Sequence, residues 1–166
     1  MALIVTLLVG LAAPALALDT PNERITLVGL TGVHLVVYDE MHGEGERAGL
    51  GPSSLQAELE QRLRTAGLRA LSASEALRSL SRPTLELRLK LMRSREVPQL
   101  YVYAVGLALR QQIQLARDRT IDSFAITWSE PPEVGTVEQA RLSVVRDAIR
   151  AKVEQFITAW QAANPD

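Results

Sequence analysis

Across residues 84–92 four leucines, Leu85, Leu87, Leu89 and Leu91, alternate with Glu86, Arg88 and Lys90. Successive side chains of a β-strand point to opposite faces, so a strand with this pattern has one oily side and one charged side. Two covering layers would bury its charges. The segment therefore belongs to a sheet with helices on one face and water on the other, and every other element has to be fitted around that constraint.

Three further strands are predicted. Residues 32–39 (GVHLVVYD) are rich in β-branched and large apolar residues on both parities, which marks a central strand. Residues 99–117 keep Tyr101, Tyr103, Val105, Leu107, Leu109, Ile113 and Leu115 on one parity. At about 3.3 Å per residue that run is long enough to overhang its neighbours. In a last strand over 121–129, Phe124, Ile126 and Trp128 face one way, and Pro131, Pro132 and Gly135 are expected to stop it.

Helix starts come from capping patterns. Ser53-Ser54-Leu55-Gln56 opens a helix with the stripe Leu55, Leu59, Leu63, and Gly67 closes it. Ser72-Ala73-Ser74-Glu75 opens a short helix that Pro83 ends, and Thr136-Val137-Glu138-Gln139 opens the longest one, over 137–163. The fold class is α+β: a two-layer α/β sandwich of order β-α-β-β-β-α, with a mostly antiparallel sheet and two long helices on one face. The helix between the first two strong strands implies a right-handed parallel crossover, and short loops between the later strands imply a meander.

Residues 2–18 carry no charge and hold an A-x-A run at Ala15-Leu16-Ala17 just after Pro14. That is the form of a cleavable export signal. We divide the chain into a signal peptide (1–17), a lead-in segment (18–31) and a single α/β domain (32–166), and expect an exported protein of the periplasm or exterior. The signal lacks an N-terminal Lys or Arg, and about 17 apolar residues are near the minimum for a bilayer span, so an uncleaved membrane tether is the rival reading. With no cysteine in the chain, neither a disulfide nor a lipid-bearing cysteine is available, and packing alone must stabilise the domain. A net charge of −1 with both signs interleaved gives no reason to expect a nucleic-acid partner.

No constellation of acid, base and nucleophile stands out, no cofactor is expected, and we read the chain as a non-enzymatic binding or accessory protein. The cluster of hard ligands near a histidine, Asp39, His42 and Glu44 on a glycine-rich loop, supplies the alternative of a metal-dependent small hydrolytic enzyme. Its spacing matches no metal loop, and a solvated loop is the plainer account. His34 lies on a mostly apolar strand, where histidines are usually structural. Tyr101, Tyr103 and Trp128 are placed to line a cross-strand groove. The far end of the long strand, with Arg110, Gln112, Ile113 and Leu115, is placed to accept a partner strand from an envelope protein through a sheet edge.

Six stretches carry a resemblance: residues 30–37, Ala48-Gly49-Leu50, residues 55–71, residues 109–117, Thr127-Trp128 and Asn164-Pro165. Together they resemble a group of small exported bacterial proteins of uncharacterised function. The shared positions are mainly core and cap residues, so the resemblance implies export and fold and carries no site. The element order is also similar to that of envelope lipoproteins that assist outer-membrane assembly, though this chain lacks their lipid-bearing cysteine.

Overall fold

A computed structural model describes residues 21–40 and 43–165. The expected signal peptide and the candidate ligand His42 lie outside the described residues. In chain order the elements are α1 (Pro21–Arg24), a 3-10 turn (Ile25–Leu27), β1 (Gly32–Asp39), α2 (Glu44–Arg47), α3 (Pro52–Thr65), β2 (Arg69–Ala70), α4 (Ala73–Arg78), β3 (Thr84–Arg93), β4 (Leu100–Leu115), β5 (Asp118–Glu138), a second 3-10 turn (Gln139–Arg141) and α5 (Ser143–Ala163). The protein is α+β. Its sheet has five strands in the order β2-β1-β3-β4-β5. β1 runs parallel to β2 and to β3, while β3, β4 and β5 are antiparallel neighbours. Of the short elements, α1, α2 and β2 stand outside the expected order of main elements, while α4 is the short helix expected from the box at residues 72–75.

The leucine parity sets the core. Leu85, Leu87, Leu89 and Leu91 are fully buried, as are Leu55, Leu59 and Leu63 of α3 and Val145, Ile149, Val153 and Phe156 of α5. Each fully buried large side chain contributes about 1.5–3 kcal/mol through the water it no longer orders. At the centre Trp128 meets Phe156 edge to face, with ring centroids 5.1 Å apart.

Local caps decide α3 and α4. Gly67 follows α3 in the left-handed region at φ 91°, where only glycine escapes a Cβ clash. The Leu68 N–H reaches the Leu63 carbonyl and the Gly67 N–H reaches that of Arg64, each at 3.0 Å, the paired bonds of a glycine-closed helix end. Ser72 and Glu75 form the reciprocal capping box at the start of α4. At α3 the box pattern is displaced: Gly51 is the N-cap, Pro52 takes the first helical position, and no side chain caps the end.

Two expectations are corrected. The pattern at 136–139 does not start a helix, because Val137 and Glu138 pair with Tyr101 and Leu100 of β4, and α5 begins at Ser143. The two prolines and Gly135 do not end the last strand. β5 is the terminal strand of the sheet, and Pro131 and Pro132 fall where the register between Val105 and Leu107 shifts, a bulge that does not need their missing N–H groups. Gly135 stays in the strand because the Tyr103 ring lies across it, 2.9 Å from where a Cβ would sit.

The described part of the lead-in segment is tied to the core and to α5. Leu27 is fully buried. Asn164 at the end of α5 donates to the Leu27 carbonyl (2.9 Å) and accepts from the Gly29 N–H (2.7 Å), while the Trp160 indole donates to the Leu30 carbonyl (2.7 Å). Among the described residues no helix is long and apolar enough to cross a membrane.

Candidate functional site

The side chains opposite the leucine face form five rows across the sheet. Reading from β1 to β5 they are His34, Thr84, Arg110 and Ile126; Val36, Glu86, Ala108 and Ser129; Tyr38, Arg88 and Gly106; Lys90, Ala104 and Val134; and Met92, Val102 and Thr136. Charge is concentrated on β3. The middle of β4 contributes only Ala104, Gly106 and Ala108. On β5 the same face carries Phe124, Ile126 and Val134, 47%, 62% and 67% exposed, with Ser129 between Ile126 and Val134.

This face is where the expectation of three solvated charges on β3 is corrected. Arg88 and Lys90 are exposed, but Glu86 is buried at 4% exposure. No further layer covers it. The long side chains of its neighbours do, because Arg88 Nη2 donates to it at 2.9 Å and Arg110 Nε lies 2.7 Å from its other oxygen. Each arginine is itself held against a ring, Arg88 over Tyr38 at 4.9 Å and Arg110 over Phe124 at 5.3 Å. Glu40 bridges Lys90 (2.9 Å) and Arg88 (3.1 Å). The Lys90 hydrogen bond, working against the cost of burial and joined by Arg88, holds the Glu40 carboxyl below the usual glutamate range. Bonds to Glu86 and then Glu40 raise the Arg88 guanidinium further.

Beside this charged bank lies a groove of about 320 Å³, floored by Ala104 and Gly106 and walled by Arg88 and Lys90 on one side and Pro132 and Val134 on the other. A Cβ at Gly106 would meet nothing within 4 Å, so the groove floor is open there. The arrangement offers an apolar trough with ionic contacts along one edge.

Of the expected partner-binding residues, Arg110 is on this face. Gln112 is half-buried and its N–H donates to the Ser81 carbonyl at 2.7 Å, so the loop before β3 occupies the strand edge at that one position. On the other side β4 pairs with β5 to its end: Ile113 stands opposite Ser123, and Leu115 opposite Asp118. Tyr101 and Tyr103 are 4% and 7% exposed on the helix side, with Trp128 fully buried, so these rings pack the core and do not line a groove. Tyr101 accepts from Arg93 Nε (3.0 Å), and its hydroxyl donates to Glu44 (3.4 Å). Burial, then the Glu133 charge and hydrogen bond, push the Tyr103 phenol up.

At the loop corner, Asp39 packs over Gly45, where a Cβ would lie 2.9 Å from its carboxylate. Glu44 is engaged by Arg47 at 3.1 Å. No group of three His, Cys, Asp or Glu side chains placed to hold a metal occurs among the described residues. His34 Nδ1 lies 3.0 Å from the Leu71 carbonyl.

The apolar row on β5 was missed for a definite reason. Leu109 pairs with Trp128 but Arg110 pairs with Ile126, so Thr127 is an extra residue. That bulge reverses the parity between Trp128, which is buried, and Ile126 and Phe124, which are not. The readable signal was the run of small residues at alternate positions 104, 106 and 108. Neither the family models nor the curated proteins contain a match to this sequence, so the geometry alone carries the reading of the site.

Proposed function

We propose that this chain is a non-enzymatic binding or accessory protein of the bacterial envelope, which receives a protein partner across the uncovered face of a two-layer α/β sandwich. One observation carries the reading: a trough of small residues runs between a charged bank and an exposed apolar bank of Phe124, Ile126 and Val134. Large apolar side chains gathered on one sheet face favour association, and such patches mark interaction sites. The charged bank supplies orientation, since rim charges steer a partner more than they hold it. Placement in the envelope rests on the export pattern of residues 1–17, and cleavage there releases a mature chain beginning at Leu18.

The test is site-specific photo-crosslinking in cells, with the reactive residue at Val134 and, as a control on the outer side of α5, at Gln161. A discrete adduct from Val134 and none from Gln161 is expected. Gly106→Lys fills open space on the trough floor, so it should abolish the adduct while leaving the melting temperature unchanged or raised. Equal adducts from both faces, or none, would refute the reading. A second reading, addition of a partner strand, is favoured by β5 having a strand on one side only. A crosslinker at Ile121, on the overhanging part of β5, separates the two: adducts there that persist in Gly106→Lys point to the edge.

A further inference from the structure

We propose that a second pocket on the open face, at its α4 end, binds a small apolar monocarboxylate. The sheet register sets His34, Thr84 and Arg110 side by side on three neighbouring strands. Over that row α4 and β5 supply Ala73, Ala76, Leu77 and Phe124, enclosing about 250 Å³ together with Arg82. No carboxylate lines this space, whereas two guanidinium groups do. Glu86 is shared between Arg110 and Arg88, so the pocket keeps a net positive charge, and apolar walls beside it fit a ligand with one anionic end and an oily body.

The two arginines are differently prepared for it. Arg110 is held in place: its Nε is buried against Glu86 and its plane lies over Phe124, so the fork does not have to be ordered when a ligand arrives. Arg82 makes no ion pair among the described residues. Its backbone sits at φ 45°, the one non-glycine residue there in the left-handed region, and strain of this kind collects at ligand clamps. His34 forms part of the wall and does not bond the anion. A carbonyl can only accept, so the Nδ1–H donates to Leu71, and Nε2 of the neutral ring is left as an acceptor with no proton for a carboxylate, which the two guanidinium groups alone must hold.

A carboxylate suits the pocket better than a phosphate. Planar forks take a planar carboxylate two bonds at a time, and the apolar walls would strip water from a more heavily hydrated dianion. The volume lies just below the usual range of small-molecule sites, about 300–1,000 Å³, which favours a small free acid over the end of a protein chain.

Calorimetric titration of the mature chain with octanoate tests this. One saturable site per chain is expected. Octanol, with the same chain and no charge, should bind about tenfold more weakly or worse, since hydrogen bonds to a charged group are at stake. Arg82→Gly is the informative variant because glycine is at ease at φ 45°: the melting temperature should hold or rise while octanoate affinity falls about tenfold. Binding that does not saturate at one per chain overturns the proposal, as does indifference to both octanol and Arg82→Gly. A peptide ending in a free C-terminal leucine that binds more tightly than octanoate also overturns it, by assigning the pocket to a chain terminus. None of these outcomes depends on the crosslinks at Val134.

Discussion

Glu86 joins the charged and small-residue strips of the open face, since it is the one buried carboxylate shared by Arg88 of its own strand and Arg110 of the next. Removing its charge leaves Arg110 without its anion and Arg88 with Glu40 alone, but both arginines are about half exposed, so water recovers part of the loss. Glu86→Gln should therefore cost about 1–2 kcal/mol by urea denaturation, well short of the cost of a fully buried broken pair. A loss beyond about 3 kcal/mol would mean that the arginines cannot reach solvent. Gly135 makes the opposite point. Its Cα hydrogens support the Tyr103 ring, and Gly135→Val should displace that ring, lower stability by about 1–3 kcal/mol and change the tyrosine near-ultraviolet circular dichroism. At this scale the sequence told the parity of Glu86 but not its burial. Alternation reports which face a side chain leaves from, whereas burial depended on how far two long arginine side chains reach back across it.

Elements were legible where their ends are made by neighbours in sequence. Gly67 and the Ser72–Glu75 box close and open helices through contacts within three or four residues, and both are found as read. Ser72→Ala should accordingly cost about 0.5–2 kcal/mol in thermal unfolding. The box at Thr136 was not decisive because pairing with β4 satisfies the same backbone, and nothing local to residues 136–139 reveals that competitor. Between elements, α3 and α5 are tied by Glu58, which accepts from Arg146 and Arg150. Burial works to raise the Glu58 carboxyl, but the Arg150 and Arg146 hydrogen bonds outweigh it and hold the group below its ordinary 4.5. A depressed acid stabilises the fold above its unfolded value and loses that contribution as pH falls through the folded one. The melting temperature should thus drop as pH is lowered from about 6 to about 3, and Glu58→Gln should flatten that slope. An unchanged slope in the variant would show that other carboxylates carry the acid sensitivity.

For the whole molecule, the buried face of β3 was readable from four leucines because period two is a property of any strand, wherever it ends up. The clasp between the two ends of the domain was not, since it joins residues separated by 130 or more positions and uses side chains with no motif of their own. Asn164 and Trp160 capture the backbone at Leu27, Gly29 and Leu30, and that capture seats Leu27 in the core. The same segment touches the terminal strand, where Thr26 donates to the Thr127 carbonyl at 3.1 Å and its own carbonyl accepts from Gln111 at 3.2 Å. α5 therefore secures the segment that packs behind the β4–β5 hairpin, and the open face in front of it depends on that support. Asn164→Ala removes the bonds to Leu27 and Gly29 but leaves the Trp160 indole in place. It should speed amide hydrogen exchange at Gly29 and Leu30 by an order of magnitude or more, with about 1–2 kcal/mol of local protection lost, while the β3 and β4 amides keep theirs. Uniform acceleration across the sheet would instead mean that the clasp and the sheet open as one unit, and that residues 21–30 are an integral part of the fold and not an attachment to it.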